Sequence, residues 1–180
     1  MDGLHDFKAI EQRLAEIART KADDVLDQLS SSEQSKFPEG RQVVIAADTT
    51  IVATGSDGKL HVIGQPPEGD HWKAVVRTWF RDYFAGRTHL VFTVMCVRVC
   101  DGQAVERLTK SEVGFIVDVE RHLEWYIDTA ESRGKAGGYA IQGIGSMFVS
   151  QVTGSLTNVI GLPLEALRST FEELQIDVND

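Results

Sequence analysis

The sequence predicts an α/β domain in which helices flank a sheet, and three observations predict it. Apolar residues recur at helical spacing in four separate segments. Between them lie runs rich in valine, isoleucine and threonine, which suit a pleated, half-buried surface. Two of those runs flank Asp101-Gly102, a preferred pair for a two-residue hairpin turn.

The first helix is predicted over "FKAIEQRLAEIARTKADDVLDQL", where Phe7, Ile10, Leu14, Ile17, Val25 and Leu29 form a stripe that also contains Lys21. A polar loop, "SSSEQSKFPEG", leads to the strand "RQVVIAADTTIVA", whose aliphatic content suggests burial on both faces. "GSDGK" turns the chain into the short strand "LHVIG". A second helix places Trp72, Val75, Val76, Trp79, Phe80 and Tyr83 on one side and stops at Gly86. "THLVFTVMCVRVC" and "QAVERLTKSEVGFIV" are the long hairpin strands. A third helix is predicted with Asp118 as its cap, burying Val119, Leu123, Tyr126 and Ile127. The glycine-rich "RGKAGGYAIQG" precedes the strand "SMFVSQV". A last helix starts at Pro163 with Leu164, Leu167, Phe171 and Leu174 inward. The 180 residues fit one domain spanning 1–180, long enough to bury about two thirds of the unfolded surface, and no internal repeat interrupts them.

Composition excludes several function classes. The formal net charge of -9 argues against coating a nucleic-acid polymer, whose affinity comes from lysines and arginines on phosphates. No apolar stretch reaches membrane-span length, and "MDGLHDFKAIEQ" lacks the basic-then-apolar layout of a secretory signal, so a cytoplasmic protein without membrane contact is expected. Cys96 and Cys100 fall roughly 13 Å apart on one extended face, too far for a bridge, and both are expected reduced and buried. The five histidines, His5, His61, His71, His89 and His122, show no HExxH spacing. Neither the phosphate loop GxxxxGK[ST] nor the nucleophile elbow GxSxG is present.

Two residues break the apolar patterns. Asp48 stands inside "VVIAADTTIV", where it either caps a strand end or bulge, or serves as a metal ligand or base for water. Lys21 either lays its stem on the core with its ammonium in water, or reaches toward a bound phosphate. In "RGKAGGYAIQG" the glycines permit tight turns, and they also let backbone amides approach an anion beside Lys135.

In order, "RLAEIARTKADDV", "VVIAADTTIV", "VIGQP", "FAGRTHLVFTVMCV", "EVGFIVDVERHLEWYIDT", "GKAGGYAIQGIGSMFV" and "VTGSLTNVIGLPLEAL" resemble the Maf family of nucleotide pyrophosphatases from about residue 10 onward. The resemblance implies a mixed twisted sheet flanked by helices, the fold of inosine triphosphate pyrophosphatases, with a nucleoside triphosphate in a cleft beside the sheet. It implies cleavage between the α and β phosphates, releasing monophosphate and pyrophosphate from pyrimidine or modified nucleotides with a divalent cation, Mg²⁺ or Mn²⁺. Homodimers are the family default.

By the same resemblance Asp48 matches the acid of the family's A-D-T motif, a metal ligand or general base. Lys21 and Lys135 match phosphate-contacting lysines, and Gln142 matches a glutamine that touches substrate or orients water. The glycines would let the chain pass close to a nucleotide. Two departures stand against this pattern. The family's S-x-S-P-R-R segment, part of its phosphate site, does not occur, so the domain is expected to be short at its start relative to the family. Gln65 in "VIGQP" replaces the lysine of the G-K-P motif at a substrate-binding position. Losing fixed cations from a polyanion site costs several kcal/mol of transition-state stabilisation. An alternative is therefore a non-catalytic relative acting as a nucleotide-binding or protein-interaction subunit.

Overall fold

The computed structural model describes residues 6–31 and 42–177. The predicted amino end through His5, and the polar loop from residue 32 onward, lie outside the described residues. A 25-residue helix, α1 (Phe7–Ser31), is followed by strands β1 (Val43–Thr54) and β2 (Leu60–Ile63). Then come α2 (Trp72–Thr78), the strands β3 (Thr88–Val99) and β4 (Ala104–Phe115), and α3 (Glu120–Asp128). Strand β5 (Val149–Thr153) and helices α4 (Leu156–Ile160) and α5 (Leu164–Glu173) complete the order.

The five strands form one sheet in the order β2-β1-β3-β4-β5. The α/β class holds. The sheet is antiparallel at all four pairings rather than mixed, because each described connection returns the chain beside a strand of opposite direction. Strand β2 pairs with β1 only from Ile51 to Thr54. Among the described residues, the outer edge of β1 from Val43 to Thr50 therefore has no strand beside it.

Alternation of side chains separates two packed layers. One face of β1 and β3, through Val44, Val52, Phe92, Val94 and Cys96, packs on Ile10, Leu14, Ala18 and Ala22 of α1. The other face carries an aromatic core in which Phe80 meets Phe84, Phe115, Tyr126 and Phe148 at ring separations of 5.1–5.8 Å, spacings that favour tilted and edge-on contact. Farther along that face, Met95, Val97, Val99 and Val105 pack on Leu167 and Leu174.

Several local expectations are corrected. The buried stripe of α1 runs through Ala18 and Ala22, so Val25 is exposed and Lys21 lies at its margin with half its side chain in solvent. The second helix widens after Thr78 into a π-helical turn, Trp79–Phe84, where the amide of Ala85 donates to the Phe80 carbonyl. That wider turn keeps Trp72, Val76, Phe80 and Phe84 on one buried face, while Trp79 and Tyr83 are only partly covered. Val119, not Asp118, occupies the N-cap of α3, without a side-chain cap bond. Leu164 is exposed, and Thr170 takes an inward place on α5. Cys100 is exposed in the hairpin turn, and only Cys96 is buried. The turn is one residue longer than predicted: Val99 donates to the Gln103 carbonyl, and Gly102 adopts φ 96°. A left-handed glycine at this position is the device that closes a three-residue hairpin loop.

Candidate active site

Asp48 lies mid-strand in β1, opposite Val94 in unbroken register, so neither a strand end nor a bulge accommodates it. Its side chain keeps 18% of its surface exposed, and Oδ1 accepts a hydrogen bond from Lys21 Nζ at 2.6 Å. The same ammonium donates to the Ala47 carbonyl at 3.3 Å. A mostly buried carboxylate is thus charge-paired with an ammonium from α1, which resolves the cost its position implied.

Adjacent strand residues point to opposite faces, so Asp48 looks toward the α1 layer and Thr49 toward the other. Both nonetheless line one cleft of about 400 Å³, because the cleft wraps around the uncovered edge of β1. Thr49 Oγ1 lies 2.8 Å from Thr93 Oγ1 and donates to the Gly161 carbonyl at 3.3 Å, fixing the α4–α5 connection against the sheet. Ile51, Val91, Tyr139, Val159 and Ile160 give the cleft apolar wall. Its volume lies in the range of small-molecule sites.

The remaining predicted residues reach the same place. Gln65 follows β2, and Lys135 and Gln142 stand at either end of the glycine-rich stretch; all three line the cleft with Lys21 and Asp48. Lys135 Nζ donates to the Glu131 carbonyl at 2.7 Å, which anchors its stem. Gln65 and Gln142 are exposed.

The glycines serve the structural alternative read from the sequence, close packing of the chain on itself. Gly137 has φ 72°, and a Cβ there would overlap Ile51 Cδ1; Gly138 has φ 69° and approaches Val76. A Cβ on Gly143 would sit 2.5 Å from Glu131 Oε1, and one on Gly145 would sit 2.9 Å from the Tyr126 hydroxyl oxygen. These four let the loop lie flat on the protein itself. Gly137→Ala is expected to destabilise the fold by about 3 kcal/mol, combining left-handed strain with overpacking. Gly134→Ala, at φ 70° but with open space around it, is expected to cost only about 1 kcal/mol. Urea denaturation of both checks this, and equal losses would contradict the packing argument.

Sequence reasoning missed three positioning residues. The Glu131 carboxylate accepts from the amides of Ile144 at 2.7 Å and Gly145 at 2.9 Å, pinning the turn after Gln142. Asn158, fully buried, donates to the Val91 carbonyl and to Ser111 Oγ, tying α4 to the sheet. His89 Nε2 lies 2.7 Å from the Tyr139 hydroxyl, beneath the ring that forms a cleft wall. Burial lowers the His89 pKa to about 3, and burial likewise holds Tyr139 above the usual phenol range. Only the aliphatic run that follows His89 and the two acids of "DTAESRG", Asp128 and Glu131, hinted at these roles in the sequence.

The arrangement offers one carboxylate, two ammonium groups and two amides around a partly apolar cleft. Residues 4–174 match the family of Maf-like proteins. The chain belongs to the Maf family. This Maf chain is 32% identical to a dTTP/UTP pyrophosphatase of Pyrococcus horikoshii over 157 residues, which cover 87% of it and 77% of that relative. It is 35% identical to a dTTP/UTP pyrophosphatase of Acinetobacter baylyi over 94% of its own length and 78% of the relative. A nucleoside triphosphate pyrophosphatase of Xylella fastidiosa is 38% identical over 72% of this Maf chain, and that alignment spans 65% of the relative. Among the described residues no helix is long and apolar enough to cross a membrane.

A divalent cation fits this cleft only in part. Among the described residues no three His, Cys, Asp or Glu side chains come together, so Asp48 is the carboxylate available, beside the Ala47 carbonyl. Mg²⁺ and Mn²⁺ are commonly held by one or two carboxylates plus substrate phosphates, and that mode suits a single acid.

Proposed function

We propose that this Maf chain hydrolyses nucleoside triphosphates, with pyrimidine and modified pyrimidine nucleotides preferred, to the monophosphate and pyrophosphate. The observation that carries the reading is the convergence of Lys21, Asp48, Gln65, Lys135 and Gln142, from four separate segments, on one cleft. The names of its relatives supply the substrate class.

In this reading water attacks the α phosphorus, the bond from that phosphorus to the bridging oxygen breaks, and pyrophosphate leaves. Asp48 takes up the proton of the attacking water, or orients it. Lys21 and Lys135 hold phosphate oxygens, where fixed positive charge stabilises the charge spread in the transition state. Gln142 and Gln65 supply neutral donors that position without adding charge. Mg²⁺ or Mn²⁺, held by Asp48 together with the phosphates, would neutralise charge and polarise the α phosphate. The apolar wall of Ile51, Tyr139 and Ile160 excludes water from the base side.

The test is pyrophosphate release from dTTP, UTP, 5-methyl-substituted pyrimidine and purine triphosphates with Mg²⁺ or Mn²⁺. Specific turnover of the pyrimidine members is expected. A folded chain that binds these nucleotides without turnover would overturn the reading in favour of a non-catalytic nucleotide-binding subunit, which Gln65 in place of a cation would then explain.

A further inference from the structure

The Lys21 ammonium sits against Asp48 Oδ1 at 2.6 Å and the Ala47 carbonyl at 3.3 Å, two oxygens of the kind a hard cation uses. It arrives there on a flexible stem rooted beside Ala18 and Ala22, which are fully buried, while its own side chain is half in solvent. The head can therefore leave without repacking α1. We propose that Lys21 is the resting counter-ion of Asp48: it keeps free divalent cations off the nucleotide-free protein and yields the carboxylate only to a cation arriving with a nucleotide, whose phosphates then receive the ammonium.

The argument is one of competing charges. A divalent cation entering alone must break the ion pair and then stand beside an ammonium of like charge that has only water as its new partner. Among the described residues no cluster of further acids or histidines offsets that cost. A metal–nucleotide complex brings its own anionic oxygens, so the ammonium exchanges one oxygen partner for another. The identity of the nucleotide rests on the function proposed above; the ion-pair lock itself does not.

The experiment is a Mn²⁺ titration read from the electron paramagnetic resonance signal of free Mn²⁺, with the intact chain, Lys21→Met and Lys21→Met/Asp48→Asn. Without nucleotide, Lys21→Met is expected to bind Mn²⁺ about fivefold tighter than the unmodified chain, the scale of a partly exposed ion pair, and the double variant to fall back. With the α,β-imido analogue of dTTP present, the order is expected to reverse, since Lys21→Met then lacks a phosphate partner. Equal Mn²⁺ affinity of Lys21→Met and the unmodified chain without nucleotide would overturn the lock, as would a gain that survives loss of Asp48. Circular dichroism melting shows whether each variant is folded. Turnover with unchanged Mn²⁺ affinity sinks the lock alone, whereas tighter Mn²⁺ binding without turnover sinks the hydrolase reading alone.

Discussion

Asp48→Asn is expected to lower pyrophosphate release about a thousandfold, the usual contribution of a positioned acid or base. Asparagine has nearly the same shape, and the ladder opposite Val94 depends on main-chain groups, so the fold should persist. What disappears is the negative charge that, in the proposed mechanism, would accept a proton from water and hold a cation. Lys21 loses its counter-ion, yet 51% of its side chain is exposed, so water satisfies it at little cost. The loss should fall on kcat more than on KM, because the lysines and amides proposed to bind phosphate remain. Steady-state kinetics checks this, and undiminished kcat would remove Asp48 from the mechanism.

Acid should weaken this fold through His89. Its folded pKa, about 3, lies below the ordinary 6.5, because the ring is buried against Phe84, Phe115 and Tyr139. Between those values the unfolded chain binds a proton that the folded chain refuses, so stability rises with pH across the window and falls as pH drops from 6.5 toward 3. From pH 7 to pH 5 the loss from this group is about 2 kcal/mol. Urea titrations at the two pH values measure it, and His89→Leu should remove that share of the slope. An identical slope in the variant would place the acid sensitivity elsewhere. Tyr139 forms a wall of the cleft, so the same variant should also weaken nucleotide binding.

The site was more legible in the sequence than the packing around it. Asp48 announced itself as a charge within an aliphatic run, and Lys21 as a charge close to an apolar stripe; those anomalies need no tertiary information. The course of the α1 stripe was misread because Ala18 and Ala22, small residues with weak periodic signal, are buried in place of the larger Val25. The π-helical turn was invisible, since Phe80 and Phe84 fit either helical form until the Ala85 amide chooses its acceptor. Glu131 was missed because it acts on main-chain amides 13 and 14 residues away, which no side-chain pattern records. The glycines read from the sequence as serving either tight turns or close approach to a ligand, and most of them approach the protein itself.

The two layers packed on the sheet are held by different means. α1 is fastened to the sheet by Ile10, Leu14, Ala18 and Ala22, by the Phe7 ring against Phe92 and by the pairs Lys21–Asp48, Arg19–Glu106 and Arg98–Asp23, while the opposite layer is locked by many interleaved rings. Amide hydrogen exchange should therefore divide the chain into a weakly protected helical unit and a strongly protected aromatic one. Lys21 belongs to the first, and Lys135 and Gln142 to the second. On the proposed function, a polyanion gripped by both would span that boundary, and its occupancy is expected to join the two units into one.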